Sequence, residues 1–236
     1  MIKKIFLSLS FLLVFADAGT LKGKVTYEGR QFKMKPMRMG ADPVCGASHS
    51  GKVRYDGFKM SDDGSMEEAL VWLKNVEYSG SVPSEPVVLD QKGCVYTPHV
   101  IGVMAGQELL IKNSDATLHN IHSMPKINKE FNFAMPKVVK EKKASFPKSE
   151  PAPFFIKCDV HPWMKSWVLV SDHPYYAITD KDGNYEIPNV PPGTYEVLCW
   201  QEQFVKKDRF KKTLDKVTIG AGETTKDFVL KGPPKK

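Results

Sequence analysis

Apolar and polar positions alternate through Leu21-Lys22-Gly23-Lys24-Val25-Thr26-Tyr27 and stop at Glu28-Gly29, which predicts a half-buried strand and a turn. Residues 30–67 lose the period and carry Gly40, Pro43, Gly46, Gly51, Gly57 and Gly64, the pattern of a long irregular excursion. Ala69-Leu70-Val71-Trp72-Leu73 is a continuous apolar strand, and residues 79–86 form a turn-rich linker with two prolines. From Val87 strands come densely: Cys94-Val95-Tyr96, residues 108–112 and residues 118–123, broken by Pro98, Gly102, Gly106 and Asn113-Ser114-Asp115. Residues 124–151 read as a Lys- and Pro-rich stretch with one aromatic pair, Phe131 and Phe133. Strands return at 154–157 and 166–171. After His173-Pro174 come Tyr176-Ala177-Ile178-Thr179, a turn at Asp180-Lys181-Asp182-Gly183-Asn184, strands at 185–187 and 194–200, and two last strands near 213–219 and 224–230. Residues 232–236 read as a frayed tail. Many short strands with little helical periodicity predict an all-β sandwich or barrel.

Composition narrows the class. The chain has 236 residues, 42% of them hydrophobic, which suits one or two compact domains. No apolar run beyond the N-terminus is long enough to span a membrane. Four cysteines are too few for a scaffold built on disulfides. The net charge is +7, much of it in lysines of residues 137–148, and no nucleic-acid motif accompanies it, so an acidic protein partner suits the excess. Met1-Ile2-Lys3-Lys4, the apolar residues 5–15 and Ala16-Asp17-Ala18 have the form of a secretory signal cleaved after Ala18. The expected location is the periplasm, where disulfides persist.

Candidate chemistry concentrates in Cys158-Asp159-Val160-His161-Pro162-Trp163-Met164, a loop between two apolar strands. It offers a thiol, an imidazole and a thioether. Copper in a His₂Cys site with a weak axial Met asks for this set and one further imidazole. Leu118-His119-Asn120, with His119 lying 39 residues before Cys158, is the best supplier. Pro162 lacks a backbone donor and stiffens the loop. A zinc site competes less well, because zinc has little use for a thioether. The plain alternative is a structural Cys, a surface His and a core Met. Neither Cys-Xaa-Xaa-Cys-His nor His-Cys-His occurs, so neither c-type haem attachment nor a multicopper-oxidase bridge is indicated.

Cys-x-x-His-Pro-aromatic-Met after a strand, with Asn113-Ser114-Asp115 and His119-Asn120 upstream, resembles the copper-binding pattern of small cupredoxins, most closely the amicyanin type. The resemblance covers roughly residues 87–172. It implies a Greek-key sandwich, one copper ion held by His119, Cys158, His161 and Met164, and Asn120 tying the two ligand loops together by hydrogen bonds. With Cys158 given to metal, and Cys199 read as a small buried residue between Leu198 and Trp200, Cys45 and Cys94 remain as a candidate disulfide. Cys45 with His49 is the alternative, as a second metal site. His122, three residues beyond His119, is expected on the opposite strand face unless a bulge breaks the alternation. His49, His99 and His173 have no partner at ligand spacing and are expected at the surface. Met34, Met37 and Met39 either bind Cu(I) or simply pack. Asp180-Lys181-Asp182-Gly183 reads as a hairpin turn, not a calcium loop.

Gly23-Lys24-Val25-Thr26-Tyr27-Glu28-Gly29, the segment 179–187 and Pro191-Pro192-Gly193-Thr194-Tyr195 resemble the carboxypeptidase regulatory-like, transthyretin-like sandwich. The resemblance implies a non-catalytic frame, its N-terminal part with the excursion in residues 19–78 and its C-terminal part in 175–231. The cupredoxin domain at 87–172 would be inserted into it; a tandem order with 19–78 as a separate cap is the alternative. The expected function is a periplasmic mononuclear type 1 copper protein passing single electrons to a cytochrome or dehydrogenase. Copper storage or delivery, and a binding module with a structural metal, are the other readings. An enzyme ranks last, because the axial Met fills the position a substrate would need, and no catalytic residues are assigned.

Overall fold

The computed structural model of the protein describes residues 17–204 and 214–233; the expected signal segment up to Ala16 and the end of the expected tail lie outside them. The strands, in chain order, are β1 (Gly19–Glu28), β2 (Lys59–Met60), β3 (Met66–Glu67), β4 (Leu70–Lys74), β5 (Val87–Lys92), β6 (Val95–Thr97) and β7 (Val100–Met104). They continue with β8 (Glu108–Asn113), β9 (His119–Ser123), β10 (Asn132–Met135), β11 (Glu141–Ser145), β12 (Phe154–Lys157) and β13 (Lys165–Ser171). The last are β14 (Tyr176–Ile178), β15 (Asn184–Val190), β16 (Gly193–Trp200), β17 (Leu214–Ile219), β18 (Gly222–Thr225) and β19 (Phe228–Lys231). Helix among the described residues is limited to short turns, including α1 (Pro43–Ala47), and no helix there is long and apolar enough to cross a membrane. The fold is all-β.

Strands from the two ends of the chain share sheets. β1 lies between β15, antiparallel, and β18 and β19, both parallel; β14, β4, β16 and β17 form the facing sheet. Between them in sequence, β10-β9-β12-β13-β7 and β11-β8-β5-β6 form a second pair of sheets. Each pair encloses its own core. Leu21, Val25, Val71, Leu73, Ile187 and Val197 belong to one, and Leu89, Leu109, Ile111, Ile121, Ile156 and Val168 to the other.

The unbroken apolar runs are explained by a third cluster. Side chains alternate across a strand. In β4, Val71 and Leu73 face the first core while Leu70 and Trp72 face outward; in β13, Val168 and Val170 face the second core while Trp167 and Leu169 face outward. The outward sets meet each other, joined by Val100, Leu198 and Trp200. The two sandwiches therefore pack sheet on sheet, with Trp167 and Trp200 edge to face at 4.9 Å. Gly102 of β7 is required at this seam, because a Cβ there would come within 2.3 Å of the Tyr176 ring.

The seam holds a polar group that the sequence reading placed elsewhere. His99, expected at the surface, is buried, and its Nε2 lies 2.6 Å from a Glu202 carboxylate that also accepts from Trp167 Nε1 at 2.7 Å. Its Nδ1 is 3.2 Å from Asp56. Burial lowers the imidazole pKa, but the bond to Glu202 and the charge of Asp56 outweigh it, so the net direction is upward. A raised pKa stabilises the fold fully below the unfolded value of about 6.5 and less as pH rises through the folded value. His99→Ala is accordingly expected to cost about 3 kcal/mol in urea unfolding at pH 5.5, by stranding the Glu202 carboxylate, whose side chain is 7% exposed. The cost should shrink in the same measurement at pH 9.

Residues 124–151, read as irregular, contain β10 and β11. β11 is an edge strand with exposed Glu141, Lys143 and Ser145, and an edge that presents charge to solvent has no apolar alternation to read. The turn before β10 is held by Glu150, whose carboxylate accepts from the backbone of Lys126, Ile127 and Asn128. The span read as one strand at 224–230 is divided into β18 and β19.

Candidate metal centre

The antiparallel pairing of β12 with β9 brings the residue after β12 to the end of the sheet at which β9 begins. That residue is Cys158, and β9 begins with His119. The loop closes on itself: Met164 N–H donates to His161 O at 2.9 Å, and Cys158 N–H to Met164 O at 3.3 Å. His161 is thereby turned back over Cys158. The ligand atoms of His119, Cys158 and His161 lie within 4.8 Å of one another, all in buried side chains. His119 Nδ1 is 3.0 Å from His161 Nδ1, and Cys158 Sγ is 3.9 Å from His161 Nδ1. Nitrogen at about 2.0 Å and sulfur at about 2.3 Å from one ion, in a trigonal arrangement, lie roughly 3.8 Å apart. The donor set and its spacing thus fit one small ion. Met164 is buried in the same cluster as Cys158.

Each imidazole turns its Nδ1 inward because its Nε2 is held by a carboxylate. His119 Nε2 is 2.8 Å from Asp115 Oδ2, and His161 Nε2 is 3.2 Å from Asp42 Oδ2. A ligating histidine needs such a partner to fix its tautomer and ring orientation. The carboxylates are themselves anchored. Asp115 accepts from Gly93 N–H and Cys94 N–H at 2.7 and 2.8 Å. Asp42 caps α1, accepting from Val44 N–H and Cys45 N–H, and its other oxygen accepts from Thr117 Oγ1 at 2.8 Å. Burial raises the Asp42 carboxyl, but these bonds together hold it at about 2. Burial likewise disfavours charge on His119, yet Asp115 and Cys158 push it up to about 9.

The surroundings of Cys158 favour ionisation of its thiol. Burial raises its pKa, and His119 together with the backbone amides of His161, Asn120 and Val160 more than reverse this. The His161 amide is 3.3 Å from Sγ. Asn120 ties the loops: its Oδ1 accepts from Asp159 N–H at 2.9 Å, while Tyr96 Oη donates to its carbonyl oxygen. Trp163 lies against the His161 ring, with centroids 5.0 Å apart, and donates from Nε1 to Cys94 O at 2.9 Å.

Cys45 and Cys94 form a disulfide, and Cys158 and Cys199 are free and buried. The Cys45 Sγ atom lies 3.7 Å from His161 Nε2, so the bridge packs directly against the site. His49 instead meets Gly93 O at 2.7 Å. His122 points away from the centre, between Asp159 at 2.8 Å and Glu130 at 2.6 Å. His173, expected at the surface, is buried beside Ser171 and Tyr175, where its Nδ1 meets their hydroxyl and amide. Met39 is buried in the core of the sandwich that carries Cys158, Met37 packs against that core and Met34 packs against the other. Asp180 Oδ1 accepts from Asp182 and Asn184 amides, closing the hairpin turn, and Gly183 there has φ +79°.

The two carboxylates were not legible as partners of the site. Asp42 lies 119 residues before His161 and in the aperiodic excursion. Asp115 had a signal, four residues before His119 in a turn. Asp115→Ala should weaken metal binding by about 10- to 100-fold in a chelator competition, as loss of an imidazole partner does. Asp115→Asn, which keeps an acceptor oxygen, should recover most of it.

Residues 147–227 match the family described as polysaccharide lyase family 4, domain II, and not the carboxypeptidase regulatory-like sandwich expected for the frame. No curated protein matches the chain. Solved structures similar to parts of it include a Cu-containing nitrite reductase from Thermus scotoductus SA-01, at 18% identity and TM-score 0.32 over 42% of this chain. The chain spans only 25% of that reductase. A single-substitution mutant of amicyanin in its Cu(I) form is similar at 19% identity and TM-score 0.32, over 43% of this chain and 98% of amicyanin. A purple cupredoxin from Nitrosopumilus maritimus is similar at 21% identity and TM-score 0.30, over 36% of this chain and 99% of its own.

Proposed function

We propose that the protein is an exported, periplasmic copper protein that passes single electrons. Its metal-binding sandwich is inserted in a second β-sandwich built from strands of both ends of the chain. The observation that carries this reading is the convergence of two inward-facing Nδ1 atoms and a thiol sulfur in buried surroundings, with each Nε2 already held by a carboxylate. Copper, when bound, supplies a one-electron couple. His119, Cys158, His161 and Met164 would hold it. The chain's own contribution is constancy. Asp42, Asp115 and Asn120 fix the ligands from outside, so little has to move when the charge of the site changes by one. The lysines of residues 126–148 suit an acidic face on a cytochrome or dehydrogenase.

Cyclic voltammetry of the copper-loaded protein tests the assignment. A reversible one-electron couple is expected. Absence of a couple, with copper passing readily to an acceptor, would replace electron transfer by delivery; unfolding on metal removal with no couple would make the metal structural.

A further inference from the structure

The disulfide lies where a second set of metal ligands would lie if it were open. Cys45 Sγ is 3.7 Å from His161 Nε2, and Asp42 Oδ2 is 3.2 Å from the same nitrogen. The ligand atoms of Asp42, Cys45 and His161 all fall within 4.8 Å of one another, as do those of Cys94, Asp115 and His119. Both cysteines are fully buried. Nitrogen at about 2.0 Å and sulfur at about 2.3 Å from one ion, at the tetrahedral angle, are roughly 3.6 Å apart. The Cys45 and His161 atoms already have nearly this separation. The outer edge of the His161 ring thus faces sulfur and oxygen donors, while its inner edge faces Cys158.

We infer that the Cys45–Cys94 disulfide is the oxidised, closed form of a second Cu(I) site, built from the thiolates of Cys45 and Cys94 with His161 Nε2. It adjoins the first centre through the His161 ring. Two thiolates and an imidazole are a soft set that selects Cu(I) over harder ions. A dithiol protein would open it. The dithiol gives up two electrons and two protons, its own sulfurs join, and the Cys45–Cys94 bond breaks to two thiols. Cu(I) then binds as the two thiol protons and the proton on His161 Nε2 leave to solvent and Asp42 gives up that nitrogen. In an oxidising compartment the site stays closed until such a dithiol acts. The inference rests on the copper reading only in that the two centres share His161.

The test counts Cu(I) on the whole protein. Protein loaded with one Cu(I) per chain is treated anaerobically with a phosphine, desalted, assayed for thiols and titrated with Cu(I) against a chromophoric chelator. Binding should rise from one to two ions per chain on reduction, and stay at one in the Cys45→Ser/Cys94→Ser double variant. Reduced Cys158→Ala should still take up one ion. If the first centre does not exist, the oxidised protein binds none and the reduced protein one, so the increment is read independently. A reduced protein with two additional free thiols and an unchanged stoichiometry overturns the inference. So does loss of the native near-ultraviolet circular dichroism when the loaded protein is reduced.

Discussion

Cys158→Ala is expected to remove the intense visible absorption of the Cu(II)-loaded protein completely and to weaken copper binding by more than the ~100-fold typical of losing an outer partner. On the proposed copper assignment the thiolate would be the source of that absorption, and it is the sulfur donor in the group that Cys158 forms with His119 and His161. Its replacement leaves His119 and His161 with their Nδ1 atoms 3.0 Å apart, so a weaker two-nitrogen site remains. Copper bound there would lack the charge-transfer band and give the electron paramagnetic resonance spectrum of an ordinary tetragonal centre. His119 is affected as well. Its high pKa depends partly on Cys158, and without the sulfur it should fall below about 9 in the metal-free protein. Absorption spectra and paramagnetic resonance of wild type and variant, each loaded with one equivalent, check this. A visible band of wild-type intensity in Cys158→Ala would mean that another group supplies the colour.

How much of this was open to sequence reading depends on where the information lies. The ligand loop was legible because several informative residue types fall within Cys158–Met164 between two apolar strands, so local pattern and chemistry coincide there. β4 and β13 were legible as strands, but their unbroken apolar character signalled a second covered face whose partner only the fold supplies. β11 was missed for the opposite reason, since an edge strand exposed to solvent has no apolar side to alternate, and β10 because Asn132–Met135 is too short for its inward Phe133 and Met135 to stand out as a period. The buried positions of His99 and His173 could not be read because their partners, Glu202 for the one and Ser171 with Tyr175 for the other, come together only at packed surfaces. Asp42 is the largest omission. It acts on a histidine far away in sequence from a segment with no period of its own, and the closure of Cys45 onto Cys94 helps to put it there.

Opening that bridge should therefore lower stability as well as alter the site. Cys45 and Cys94 are 49 residues apart, and closing a loop of that length removes denatured-state entropy worth about 4 kcal/mol at 25 °C. The Cys45→Ser/Cys94→Ser variant in its metal-free form should lose roughly this amount in urea unfolding, against a total of about 5–15 kcal/mol for a typical domain. The loss is expected to concentrate in the ligand-bearing sandwich, because Cys45, Cys94 and Met39 all belong to its core and none to the other. Copper should restore part of it. An ion that binds the native state alone adds about 2.7 kcal/mol when free ligand stands at 100 times the dissociation constant. The difference between wild type and variant at a fixed copper excess also reports the site itself. Without the bridge, α1 and its cap Asp42 are held over His161 by the packing of this segment and by hydrogen bonds, among them Thr117 Oγ1 to Asp42 Oδ2 at 2.8 Å. Copper should then stabilise the variant less than the wild type, by the affinity lost when His161 Nε2 is no longer fixed. Paired urea titrations with and without copper measure both quantities. An equal copper increment in the two proteins would show that Asp42 holds the imidazole without help from the disulfide.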